Sequence, residues 1–177
     1  QPPYNARPVY AYHYDSDGRR HDPADGTPAI QKWYADGKSA GQDHYINGQL
    51  HDPADGTPAV QEWHENGEWA EQKHYINGQL HDPTDGTPAI QRWHENGELA
   101  EQEHWKNGKH HNPAPGLPAR MQYNDQGEPM QADFADGRIE TNPDELQRLQ
   151  KGLDALRQAA KLDKAFGNIA TITPVRR

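Results

Sequence analysis

Apolar and polar residues mix along the chain in short runs, and each run ends at a turn-forming dipeptide. The run Ala29–Tyr34 combines β-branched and aromatic residues with polar ones, and a second run near Gln72–Tyr75 has similar character. Asn-Gly and Asp-Gly dipeptides separate such runs, and these dipeptides accept positive φ and favour tight hairpins. Because a helix breaker recurs about every ten residues, this pattern predicts short antiparallel strands and excludes helices here.

A repeat of thirty residues organises most of the chain. The segment His21–Ala29 recurs at 51–59 and 81–89, and in altered form at 111–119. The motif Trp-x-x-(Asn/Asp)-Gly follows in the first three units, and so does His-(Tyr/Trp)-x-Asn-Gly. The repeat predicts an N-terminal half repeat (1–20), four hairpin repeats (21–140) and a C-terminal helix and tail (141–177). The expected fold is mainly β: an elongated, meandering antiparallel sheet of repeated β-hairpins with a C-terminal amphipathic helix.

The last unit indicates which face of the sheet is inward. Ala119, Met121 and Tyr123 are apolar, and they alternate with polar residues. By register Trp33, Trp63 and Trp93 share the face of Tyr123, and we expect them to form an inward tryptophan ladder. The opposite face is mixed and is expected to be exposed; it carries Ile30, Val60, Ile90, Lys32, Glu62, Arg92, Tyr34, His64 and His94.

The pattern changes to a helical one after Thr141. Asn142 is a candidate N-cap, Pro143 fits the first helical position, and acidic residues follow. One apolar stripe then continues to a helix end near Lys164, formed by Leu146, Leu149, Leu153, Leu156 and Ala160. The helix either caps the open end of the array or presents itself to a partner. Ile169–Ile172 is a candidate short strand.

Composition and charge narrow the choice of partner. Only 32% of residues are hydrophobic, and Cys is absent, which excludes disulfides and thiol chemistry. The net charge is −9, and residues 51–110 hold twelve acids against four bases. Such an acidic block repels phosphate backbones, so we expect no nucleic-acid binding and instead a protein partner with a basic surface. Solubility alone is the other explanation of the charge.

The residues offer little catalytic or metal-binding chemistry. The histidines follow the repeat period and lack the compact spacing of a catalytic metal site, so we expect their N–H groups to bond turn carbonyls. The segment Asp22–Gly26 lacks the residue order of a calcium loop. The two serines, Ser16 and Ser39, are not in a nucleophile motif, and the paired carboxylates recur beside exposed turns. We therefore expect a non-enzymatic protein with no cofactor and no metal.

The repeat unit reads Asn-Gly-Gln-Leu-His-Asp-Pro-x-Asp-Gly-Thr-Pro-Ala-(Ile/Val)-Gln-x-Trp-x-x-(Asn/Asp)-Gly. It resembles the MORN-type repeats of bacterial and phage proteins and, more narrowly, the YwqK-like antitoxin or immunity proteins. The resemblance covers roughly residues 8–140. It implies a β-hairpin array that binds another protein, and for the YwqK-like branch that partner is a toxin.

The leading hypothesis is an immunity protein that binds and blocks a secreted bacterial toxin, for example a type VI effector such as a phospholipase. One alternative is a structural or scaffold repeat protein at the envelope or on a phage particle. Another is a lipid- or carbohydrate-binding module, which requires exposed Trp side chains. Membrane association is not expected. The Pro-rich start at Gln1 favours an exported, periplasmic protein, with the cytoplasm as the alternative.

The central units supply the candidate partner-binding residues. Trp69 stands out because the matching positions hold Ser39 and Leu99, so the repeat does not demand an aromatic side chain there. An isolated aromatic residue beside acids is typical of a binding hot spot. The full predicted set is Trp63, His64, Glu65, Glu68, Trp69, Glu71, Trp93, His94, Glu95, Glu98 and Glu101.

Overall fold

The computed structural model describes residues 9–166 of the 177-residue chain. The candidate strand Ile169–Ile172 lies outside the described residues. In chain order the elements are β1 (Val9–Tyr12), β2 (Ile30–Trp33), β3 (Ser39–Asp43), β4 (Tyr45–Ile46), β5 (Gln49–Leu50), β6 (Val60–Trp63), β7 (Trp69–Lys73), β8 (Tyr75–Ile76), β9 (Gln79–Leu80), β10 (Ile90–Trp93), β11 (Leu99–Glu103), β12 (Trp105–Lys106), β13 (Lys109–His110), β14 (Arg120–Tyr123), β15 (Pro129–Asp133), β16 (Ile139–Glu140) and α1 (Pro143–Phe166).

Each repeat contributes one hairpin to a ten-stranded antiparallel sheet with the order β1-β2-β3-β6-β7-β10-β11-β14-β15-β16. This order confirms the predicted meander of hairpins followed by a helix. Each of the four main-sheet hairpins has a register shift just before the aromatic residue that ends its first strand, for example between Lys32 and Trp33. Because strand spacing is about 4.8 Å, each two-stranded repeat advances the array by about 10 Å.

The second strand predicted in each unit is divided by the structure. Gln72 and Lys73 end β7, whereas Tyr75 begins a small separate hairpin, β8–β9. Equivalent two-stranded side hairpins are β4–β5 and β12–β13. The Asn of each side-hairpin turn has positive φ, about 50°, as the Asn-Gly dipeptides predict; these residues are Asn47, Asn77 and Asn107.

The hydrophobic core lies at the C-terminal end, where α1 packs on one face of the sheet. We call this side the helix face. The Oδ1 atom of Asn142 accepts hydrogen bonds from the backbone N–H groups of Asp144 and Glu145, which confirms the predicted N-cap. The core consists of Met121, Tyr123, Ala132, Phe134, Leu146, Leu149 and Leu153, with Leu99 and Leu117 packed against it. This helix therefore covers the end of the array.

The opposite side, which we call the ion-pair face, is not the exposed surface that the sequence predicted. Ile30, Val60 and Ile90 are at most 8% exposed. Each begins its strand directly after the Asp-Pro turn, at the edge where each side hairpin is hydrogen-bonded to the preceding Asp-Pro turn, for example Tyr45 O to Asp22 N–H. Lys32 and Arg92 on this face are half-buried in ion pairs. The alternation of apolar and polar residues within one strand does not show which face of that strand other segments of the chain cover. The sequence therefore wrongly predicted that this face is exposed.

Candidate functional site

The predicted partner-binding residues occupy three different places in the structure. The tryptophans lie on the helix face, and most glutamates lie on the turns after the Trp residues. Glu71 and Glu101 instead lie on the ion-pair face, because they are opposite Glu62 and Arg92 in the strand register. The structure therefore brings together the aromatic and turn residues and separates these two carboxylates from them.

Trp63, Trp69 and Trp93 form a stack that we call the indole patch. The ring centroids of Trp63 and Trp69 are 4.7 Å apart, and those of Trp69 and Trp93 are 6.4 Å apart. All three side chains are half-buried, so the ladder is less enclosed than predicted, and Trp33 lies outside the stack. The comparison of equivalent positions in adjacent units predicted that Trp69 is isolated from other aromatic residues, and this prediction is wrong. Trp69 joins Trp63 to Trp93 because β7 lies between β6 and β10.

The indole patch lies beside the region that the helix covers. Leu99, which is paired with Trp93, packs against the core under α1. Helix contacts on the sheet side include Tyr123, Gln102 and the turn at Gly86. The patch is thus an amphipathic surface at the margin of the helix, with part of each indole open to solvent.

Carboxylates line the edge of the sheet next to this patch. The residues of the four turns 34–38, 64–68, 94–98 and 124–128 form what we call the turn edge. Glu65, Glu68, Glu95 and Glu98 are exposed there, as predicted for solvated groups. The same edge carries Asp36, Asp125 and Glu128, and the cations within these four turns are limited to Lys38. The turn edge is therefore a strongly negative rim beside an aromatic centre.

Hydrogen bonds between successive turns hold this edge in a regular row. The His64 Nε2 atom lies 3.0 Å from the backbone O of Trp93, and His94 Nε2 lies 3.2 Å from the O of Tyr123. Because a carbonyl oxygen only accepts, Nε2 carries the proton in both rings. The Asn66 side-chain amide likewise donates to the backbone O of Glu95. These two histidines thus bond backbone carbonyls at the ends of the strands before the next turns, and not carbonyls within the turns themselves as the sequence predicted.

Glu71 and Glu101 are partners of Arg92 on the ion-pair face. Arg92 Nε lies 2.7 Å from Glu71, and Arg92 Nη1 bonds Glu101 and Glu103. Glu101, which is 9% exposed, also bonds Arg120. Burial acts to lower the pKa of Arg92, but the hydrogen bonds that Arg92 donates to Glu103 and Glu101 outweigh it and raise that pKa. These carboxylates are thus committed to internal ion pairs.

Three Asp–His junctions of the same geometry join the two ends of the first three units, one in each unit, and sequence reasoning missed them. Asp52 Oδ1 accepts from the backbone N–H groups of Ala59 and Tyr75, while Oδ2 lies 2.6 Å from His74 Nδ1. Asp22–His44 and Asp82–His104 repeat this arrangement. These histidines bond a carboxylate rather than the predicted turn carbonyls. The constant offset of 22 residues between Asp and His was the available signal.

Among residues 9–166, no group of three or more His, Asp or Glu side chains is arranged to hold a metal ion. The helix in this range contains no stretch that is long and apolar enough to span a membrane. No protein-family model matches the chain, and no curated protein matches it, so the resemblance to MORN-type repeats stays a prediction.

Proposed function

We propose that this protein is a non-enzymatic binding protein that covers and blocks a protein with a basic surface, as an immunity protein blocks a secreted toxin. The observation that carries the proposal is the indole patch beside the turn edge. Interfaces commonly have an aromatic centre and a polar rim, and Trp is the residue most enriched in hot spots. A phospholipase-like toxin is one partner class that fits this proposal.

The stacking geometry favours a protein partner over a saccharide. A sugar ring stacks on an open aromatic face, whereas Trp69 has Trp63 on one side and Trp93 on the other. The Trp69 ring is therefore less open to a sugar ring than an isolated indole would be. Half-buried indoles, each with an apolar body and an N–H donor, suit a protein surface that mixes apolar and hydrogen-bonding groups.

Capture with tagged protein from cell lysate and secreted fractions identifies a candidate partner, and the test then uses that purified partner. Trp69→Leu is the informative variant, because Leu99 at the matching position of the next unit shows that the strand accepts Leu. Ile139→Ser is the control, since Ile139 is 62% exposed and lies at the far end of the sheet.

We expect Trp69→Leu to weaken binding of the partner by about tenfold or more, as for a hot-spot residue. The control variant should bind like the parent protein, and the parent protein should inhibit the toxic activity of the partner. Recovery of only envelope proteins or copies of the chain itself would favour the scaffold alternative. Equal binding by both variants would move the interface away from the indole patch.

A further inference from the structure

A cleft on the turn edge is lined by residues of its first three turns. Its volume is about 370 Å³, and it is lined by Tyr34, His64, Glu65, Asn66 and Glu95. The lining combines two rings with two exposed carboxylates, and it includes no Lys or Arg among the described residues. A site of this composition suits a cationic side chain, which rings and carboxylates both attract.

The interval between the first and second turns of the turn edge shows how a cation is held between turns. There Lys38 extends from the first turn, and its Nζ donates to the backbone O of Glu65 on the second turn at 3.0 Å. The same ammonium group lies 3.2 Å from Asp36. The chain thus fills its first inter-turn position with its own cation.

The next two intervals lack such a residue. Glu68 and Glu98 occupy the positions that match Lys38, and both are exposed. Asn66 and Asn96 donate to the backbone O of Glu95 and Asp125, so the turn-to-turn spacing is maintained without a cation. The repeat geometry is therefore kept while the charge is reversed.

The charged groups that act on the Tyr34 hydroxyl are negative, in agreement with the change from Lys to Glu in these turns. Partial burial raises the pKa of the Tyr34 hydroxyl, and the negative charges of Glu65, Glu62 and Asp36 raise it further. The Tyr34 hydroxyl itself donates to the backbone O of Trp63, so the ring is fixed at this place.

We infer that the second and third inter-turn positions each take one arginine or lysine side chain of an extended segment of the partner protein. Successive positions are about 10 Å apart, because each repeat adds two strands. An extended segment in the polyproline II conformation has three residues per turn and advances about 3.1 Å per residue, so side chains three residues apart lie on one face and about 9 Å apart, close to this distance. The cationic residues of the partner segment are therefore expected at positions i and i+3. This inference rests on the proposed function of the turn edge as part of a protein-binding surface.

The test uses two labelled hexapeptides of the same composition and the full chain. One peptide is Ala-Arg-Ala-Ala-Arg-Ala, and the other, Ala-Ala-Arg-Arg-Ala-Ala, has adjacent arginines. We expect the spaced peptide to bind at least about tenfold more tightly in fluorescence anisotropy at low salt. Equal affinities would overturn the inference, because they indicate attraction to net charge alone, as would binding of neither peptide.

Matched variants locate the binding positions. Glu68→Lys with Glu98→Lys restores the Lys found in the first unit, so the fold is expected to persist and the spaced peptide to lose about tenfold in affinity. The control is Asp154→Lys with Asp163→Lys, which makes the same change in net charge on exposed positions of α1. Equal losses in the two double variants would overturn the inference.

The outcomes also separate this inference from the proposed function. If the purified partner still binds in a Trp69-dependent manner while the two peptides bind equally, only the register of cationic side chains is wrong. If Trp69→Leu and Glu68→Lys both leave the partner bound as before, the proposed function of this surface fails as well.

Discussion

Asp52 and His74 are in contact across 22 residues of chain, with the Asp52 Oδ2 atom 2.6 Å from the His74 Nδ1 atom. The same carboxylate accepts hydrogen bonds from two backbone N–H groups, one at the start of the hairpin that follows and one in the side hairpin. A single side chain thus joins three segments, and this junction occurs three times in the array.

We expect Asp52→Ala to lower the free energy of unfolding by about 3 kcal/mol, because it leaves several partly buried donors without an acceptor. Urea unfolding followed by circular dichroism measures this change. Asp55→Ala is the control, since Asp55 is exposed and its carboxylate bonds only the nearby Thr57 N–H. A loss no larger in Asp52→Ala than in the control would contradict the role of the junction.

Acid sensitivity is expected to depend on Glu103. Burial acts to raise the pKa of Glu103, but hydrogen bonds from His110, Arg92 and Trp105 outweigh it, so this pKa lies below its ordinary value. A carboxyl with a lowered folded-state pKa stabilises the fold above about pH 4.5, and the contribution is lost as pH falls through that lowered value. Glu103→Gln should therefore reduce stability at pH 7 and flatten the stability change in the acid range.

Asp43 provides the matched comparison, since it occupies the position of Glu103 in the first unit. Burial raises the pKa of Asp43, and the charge of Lys32 only partly offsets this effect. Ionised Asp43 therefore costs stability relative to its neutral form, so Asp43→Asn should be tolerated better at pH 7 than Glu103→Gln. Unfolding curves recorded between pH 3 and 7 test both variants. Equal losses at pH 7 would contradict the assigned pKa directions.

The indole patch predicts an exciton signal in circular dichroism from its stacked rings. Trp69→Leu removes the central ring, so the signal should disappear, and stability should fall by about 1 kcal/mol. Trp33→Leu should leave the signal in place, because Trp33 lies outside the stack. An unchanged spectrum in Trp69→Leu would mean that the indoles do not stack in solution.

The helix should stabilise the end of the array through its leucines. Leu149 is 3% exposed within the core cluster, so Leu149→Ala should cost about 2–5 kcal/mol. Leu162 is 51% exposed on the same helix, and Leu162→Ala should change stability by less than about 0.5 kcal/mol. Thermal or urea unfolding distinguishes the two, and similar small effects would show that α1 does not cap the sheet.

Local chemistry allowed much of the fold to be predicted. The turn residues Asn47, Asn77 and Asn107 and the N-cap Asn142 act where the sequence places them, because their conformations depend on neighbours within a few residues. The exposure of Glu65 and Glu95 beside their turns has the same origin. Such positions carry their structural information in the immediate sequence.

Predictions that depended on distant segments were less successful. Ile30, at the start of its strand, and Glu101, between two arginines, are buried by residues of other parts of the chain. The sequence of a single strand does not contain this information. Trp69 was wrongly expected to be isolated from other aromatic residues, because comparison of equivalent positions ignores the next hairpin, which supplies Trp93. The Asp52–His74 contact likewise joins two ends of one unit that are 22 residues apart, so it becomes visible only when that unit is folded.

The Asp–His junctions lie within single units, and the turn-to-turn bonds connect each unit only with its immediate neighbours. A whole unit can therefore be gained or lost during evolution, since neighbouring units meet through bonds of the same kind. The length of the array therefore changes in steps of thirty residues. Selection on such a protein acts on the number and order of units as well as on single residues.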